Sequence, residues 1–120
     1  MNELVNATGT VVTLSSKDVV RRIYRIEPST EITLKRSGFS MKVFDGVGKD
    51  IPTTTVPIPD GYEDPDNFLE GDSPLLVNVE VAIYLRYNHP EFSEKQLYVA
   101  DEPFRADTGE IVWYSKLLKF

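Results

Sequence analysis

Cysteine is absent from this chain of 120 residues, and histidine and tryptophan occur once each. The first absence removes disulfide scaffolds, thiolate zinc sites and cysteine nucleophiles. It leaves the redox compartment open, because chains of either environment can lack cysteine. A single histidine, His89, excludes histidine-rich metal centres and the paired ligands of a HExxH helix. No apolar run approaches the roughly 20 residues needed to cross a bilayer, so no membrane partner is expected. The first residues, MNELVNATGTVV, hold no basic stretch ahead of a long apolar run, which speaks against a secretory leader. The expected location is the cytoplasm of the producing cell, or a virion assembled there. Asn6-Ala7-Thr8 fits the N-glycosylation pattern, a short match that is common by chance.

What is present suits one folded domain over residues 1–120, since 41% of residues are hydrophobic and 11% aromatic. The net charge of −6 is unevenly spread. Residues 1–50 carry eight Lys/Arg against six Asp/Glu, whereas residues 51–120 carry five against thirteen. This balance disfavours nucleic acid, whose phosphates demand a basic surface, and suits a protein partner with a basic face.

The strongest pattern is residues 75–87, LLVNVEVAIYLRY, in which every odd position is apolar. Successive side chains of a strand alternate between faces, so this period of two predicts a long strand. At roughly 3.3 Å per residue it would measure about 43 Å. A compact body of this size is only about 35 Å across. The strand must then coil, break at a bulge, or project as an arm that another chain covers.

Around it the chain reads mostly as β-structure. Residues 9–14 suggest a short strand. Residues 17–26 leave two readings. One is a helix capped near Ser15-Ser16 and stopped by Pro28; the other is a strand with Val20, Tyr24 and Ile26 on one side. Residues 31–35 and 39–44 predict a hairpin turning at Arg36-Ser37-Gly38. Residues 45–74 hold five prolines and eight acidic residues, and read as a long Pro/Asp-rich loop with a short extended piece at 53–58. Residues 96–100 and 111–114 predict two further strands, with Pro103 at a strand end or edge and Asp107-Thr108-Gly109 turning between them. Both faces of the last strand are apolar or aromatic, so a position that is central or covered on both sides is expected. The fold expectation is all-β: a mainly antiparallel β-sandwich or partly open β-barrel of six to eight strands, with at most one short helix near residues 17–26.

Tests for chemistry return little. His89 lies in Asn-His-Pro, where a solvated turn residue is the plain reading. Gly46-Val47-Gly48-Lys49 resembles part of a phosphate loop, but Pro52 forbids the helix that must follow. The acidic residues Asp60, Glu63, Asp64, Asp66, Glu70 and Asp72 lack EF-hand spacing, so a solvated loop is expected ahead of a calcium site. Tyr62, Phe68 and Trp113 could line a sugar cleft, yet aromatics of a β-protein more often pack in its core. No catalytic residue, metal or cofactor is assigned.

The function expected by elimination is non-enzymatic. It is a structural or assembly subunit acting through protein–protein contacts in a homo-oligomer or larger assembly, such as a phage neck, tail or capsid-decoration component. Arg21, Arg22, Arg25, Lys35 and Arg36 would form the basic side of a head-to-tail contact. Asp60, Glu63, Asp64, Asp66 and Phe68 would form the acidic side, and Leu118 and Phe120 a terminal anchor. The alternative is a small acidic inhibitor or immunity-type protein that blocks a basic site on its target. A third reading, a single-strand nucleic-acid-binding barrel, would use the same basic residues beside Tyr24 and Phe39.

Overall fold

The computed structural model describes residues 3–15, 22–44 and 53–120. In chain order its elements are β1 (Val5–Asn6), β2 (Val12–Ser15), β3 (Ile23–Ile26), β4 (Thr33–Phe44), β5 (Thr53–Glu63), β6 (Leu75–Leu76), α1 (Val79–Asn88), β7 (Leu97–Arg105) and β8 (Ile111–Lys119). Single 3-10 turns occur at Phe68–Glu70 and Pro90–Phe92. The protein is mostly β with one short helix among the described residues. Two compact units are present: residues 1–32 with 64–120, and Thr33–Glu63.

The larger unit is a six-stranded mixed sheet in the order β1-β6-β7-β8-β2-β3. The pairs β1/β6, β6/β7 and β2/β8 run parallel, while β7/β8 and β2/β3 run antiparallel. The mainly antiparallel arrangement expected from the sequence is therefore overturned. Parallel neighbours need a crossover, because a tight turn can only reverse the chain. Between β6 and β7 that crossover is α1.

This placement corrects the reading of residues 75–87 as one strand. Only Leu75–Leu76 is strand, and the period-two run then enters α1. In a strand, positions i and i+2 share a face; in a helix they lie about 200° apart. The apolar odd positions are thus divided between opposite sides of α1. Val81 and Leu85, with Ala82, are buried, while Val79, Ile83 and Tyr87 face outward. Asn78 begins the helix with an extended backbone, and its carbonyl accepts from the amides of Val81 and Ala82. Glu80 in the first turn and Arg86 in the last complement the helix dipole. Of the two readings left open for residues 17–26, the strand is found where that segment is described, for Ile23–Ile26 forms β3. Residues 16–21 lie outside the described residues, as do 45–52 with the Gly46–Lys49 motif.

The core of this unit joins Leu75, Leu76 and Val77 to Leu97 and Val99 of β7, the inner face of α1, and Ala7, Val12 and Ile32. Three consecutive buried residues at 75–77 are what a short parallel strand covered on both faces requires. Truncating Leu85, which is fully buried, would cost about 3 kcal/mol.

Asn6 ties the two end strands of the sheet together. It is 1% exposed, and its amide nitrogen donates to the carbonyls of Thr10 (2.8 Å) and of Ile26 on β3 (2.9 Å). Its amide oxygen accepts from the Thr8 amide and hydroxyl, at 3.0 and 2.6 Å. The glycosylation pattern is therefore a structural knot, with both of its polar residues consumed inside the fold. Gly9 turns the chain with φ +81°, where a Cβ would stand 2.6 Å from the Glu31 carboxyl carbon.

The smaller unit is a two-stranded antiparallel ribbon of β4 and β5. The predicted hairpin turn at Arg36–Gly38 is instead a pair of register shifts inside β4, whose partner is the more distant β5. Within the stretch read as a loop, Thr53–Glu63 is strand. Pro57 and Pro59 fit there because each strand of a two-stranded ribbon keeps one edge unpaired.

The β7–β8 hairpin follows its sequence signal closely. Gly109 takes φ +89°, its amide donates to Ala106, and Ala106 in turn donates to Glu110. Pro103 lies where β7 has only β8 beside it, since β6 reaches no further than Tyr98. β8 is central, between β7 and β2.

Candidate protein-interaction surfaces

The outward side of α1 is the clearest unsatisfied feature of the larger unit. Val79, Ile83 and Tyr87 follow one another at intervals of four residues and are 51%, 43% and 82% exposed. Side chains at this spacing stack along one helical face. A helix that is apolar on both sides normally has something on both sides.

The chain segment that carries this helix is acidic. Residues 64–100 hold seven carboxylates and two cations, Arg86 and Lys95. Arg86 donates to the main-chain oxygens of Phe92, Lys95 and Phe120. Lys95 Nζ donates to the Gly71 carbonyl at 2.6 Å. Burial holds the Lys95 ammonium below the ordinary lysine pKa, against the opposing pull of Asp72 and Asp64. Both cations are thus spent on backbone carbonyls. The field of this segment stays negative, with Glu80 exposed at the start of the apolar stripe.

A groove of about 190 Å³ opens at the first turn of α1, lined by Thr8, Val11, Val77, Asn78, Val79 and Tyr114 among others. Asn78 spans it, with its side-chain amide 3.3 Å from the Thr8 carbonyl. Val11 in its lining is also exposed. A second, wider hollow of about 310 Å³ is lined by Asp72, Glu91, Glu94, Lys95 and Gln96. Among the described residues, no group of three histidine or carboxylate side chains is placed to hold a metal ion. No described helix is long and apolar enough to cross a membrane.

Two further places expose large apolar groups. The end strand β3 presents Ile23 and Tyr24, and the outer half of the β7–β8 hairpin presents Phe104, Ile111 and Val112. Phe104 stacks on Trp113 with ring centroids 4.6 Å apart and planes at 10°.

The residues singled out from sequence are dispersed. Arg21 lies outside the described residues. Arg22 and Arg25 are exposed at β3, where the Arg25 Nε sits 2.9 Å from Glu27. Lys35 and Arg36 are exposed on β4, opposite Gly61 and Pro59 of β5. Asp60 and Glu63 are therefore on the same ribbon as these cations. Asp64 closes the turn before β6 instead: its carboxylate accepts from the amides of Phe68 (3.2 Å) and Leu69 (2.8 Å). Asp66 is exposed and Phe68 half-buried in that turn. Leu118 is exposed on β8, and the Phe120 amide donates to Leu97, which continues the sheet.

His89 is half-buried at the C-terminal end of α1. Its Nδ1 lies 2.8 Å from Glu91, and its ring contacts those of Tyr84 and Phe92. Sequence reasoning missed Val79, Glu80, Ile83 and Tyr87. The available signal was Asn78 followed by Glu80, an uncharged run, and Arg86 in the last turn, a helix start and stop. Comparison with protein-family models, with curated proteins and with solved structures finds no match in any of the three.

Proposed function

We propose that the protein is a non-enzymatic structural or assembly subunit that works by contact with other protein chains. One observation carries the reading: large apolar side chains are left exposed at three separate places of one small unit, on α1, at β3 and on the outer β7–β8 hairpin. Clustered apolar exposure marks protein contacts, and three sites suit a component with more than one neighbour. In the same proposal the six-stranded sheet curls toward a partly open barrel, a reading supported by the Asn6 hydrogen bond from β1 to β3. The test is the absolute mass of the purified chain over a concentration series at low and high salt. Association that weakens in an Ile23→Ser/Tyr24→Ser or a Phe104→Ser/Val112→Ser variant is the expected result. A strict monomer throughout would remove self-assembly from the proposal.

A second reading is favoured by the charge of residues 64–100. Seven carboxylates with both local cations engaged on carbonyls would suit a protein that covers a basic site on a target. A monomer that binds only basic partners would bring this reading to the front.

A further inference from the structure

The outward face of α1 has a shape and a charge that narrow its occupant. Val79, Ile83 and Tyr87 form a ridge two helical turns long, about 12 Å at 1.5 Å per residue. The backbone beneath is hydrogen-bonded within the helix, so this face offers no edge for an added strand. Ridges of residues four apart interdigitate with those of another helix. A helical neighbour therefore fits the surface where an extended peptide does not.

The charges decide which helix. Glu80 stands beside the ridge, and Glu91 and Glu94 follow just beyond the helix. Arg86 is the only cation of α1, and its guanidinium is turned into the fold by three main-chain oxygens. A second copy of α1 laid on the first would bring no free cation to meet Glu80, since its Arg86 is engaged in the same way. We propose that the outward face of α1 receives an amphipathic helix of a different protein, whose apolar stripe is flanked by lysine or arginine. This inference rests on the reading of the chain as one that acts through protein contacts, and it names the chemistry of one such contact. Three side chains and a shallow groove make less than a standard interface of about 800 Å² per partner, so the contact is one of several in an assembly.

The probe is a synthetic amphipathic helical peptide of leucine and lysine, labelled for fluorescence anisotropy. Two controls accompany it: the same peptide with glutamate in place of lysine, and a scrambled lysine peptide that cannot gather its leucines on one face. The lysine-faced helix is expected to bind the full chain, and the glutamate-faced and scrambled peptides are not. Ile83→Ser and Tyr87→Ser should each weaken binding about tenfold, as loss of a central apolar anchor does. Glu80→Lys should weaken it about threefold and flatten its salt dependence. Unchanged urea midpoints would show that these exposed positions do not act through folding. Equal binding of the scrambled or glutamate peptide would overturn the proposal, and so would indifference to Ile83 and Tyr87. No peptide binding by a chain that still self-associates would end this inference and leave the assembly reading standing. A chain that neither self-associates nor binds peptide would remove both.

Discussion

Arg86 on α1 grips the main-chain oxygen of Phe120 with two nitrogens, Nε at 3.2 Å and Nη2 at 2.6 Å. The same guanidinium reaches the carbonyls of Phe92 and Lys95. One planar side chain thereby joins the crossover helix, the turn after it and the end of the last strand. The fork geometry of arginine allows this, while a lysine ammonium cannot reach all three in plane.

Arg86→Met should therefore cost about 3 kcal/mol of folding stability, since it strands partly buried carbonyls as well as removing charge-assisted bonds. Arg86→Lys should recover less than half of that loss. Urea denaturation of the three proteins measures both numbers. A loss below about 0.5 kcal/mol in the Met variant would show that the clamp contributes nothing net.

Asp64 and Asp66 look alike in sequence and should behave differently. Asp64 caps the Phe68–Glu70 turn through two backbone amides, so Asp64→Ala should cost about 1–2 kcal/mol. Asp66 is exposed, and Asp66→Ala should stay within about 0.5 kcal/mol of the parent. Thermal melts of the pair suffice to compare them.

Glu102 holds φ +54° in the middle of β7, immediately before Pro103. A residue with a Cβ is strained there, and glycine is not. The Lys116 Nζ lies 3.4 Å from its carboxylate and 3.8 Å from Asp101, an exposed arrangement of small worth. Glu102→Gly should raise stability by about 1 kcal/mol, read as a higher urea midpoint with an unchanged slope.

Acid should reveal Glu91. A backbone hydrogen bond, and then the His89 ring, hold its carboxyl below the ordinary glutamate pKa. Because the folded value lies below the unfolded one, this carboxylate favours folding at neutral pH. That contribution is lost as pH falls through the folded value. The stability difference between the parent and Glu91→Gln should be present above the ordinary glutamate pKa and vanish as pH falls through the lower, folded value. A difference that grows on acidification would contradict the assignment.

How far the sequence disclosed this fold differs from element to element. Asp107-Thr108-Gly109 between alternating runs is a local signal, and the β7–β8 turn forms where those residues require it. The run at 75–87 obeys two periodicities at once, because Val81 and Leu85 are both two steps of two and one step of four apart. What decides for the helix is the parallel pairing of β6 with β7, a relation invisible within the segment. The β4–β5 ribbon was obscured by Gly38, which imitates a turn, and by Pro57 and Pro59, which imitate a loop. The outward ridge of α1 could be read only after the helix was known, so the candidate surface depended on the element most easily mistaken.

The pairing of Val5 with Leu75 also imposes an order in time. β1 leaves the ribosome well before its neighbour in the sheet, which is synthesised 70 residues later. The β7–β8 hairpin can zip locally within microseconds. The pairing of β1 with β6 must wait for a long loop to close, so it belongs to the late, entropically expensive stage of folding.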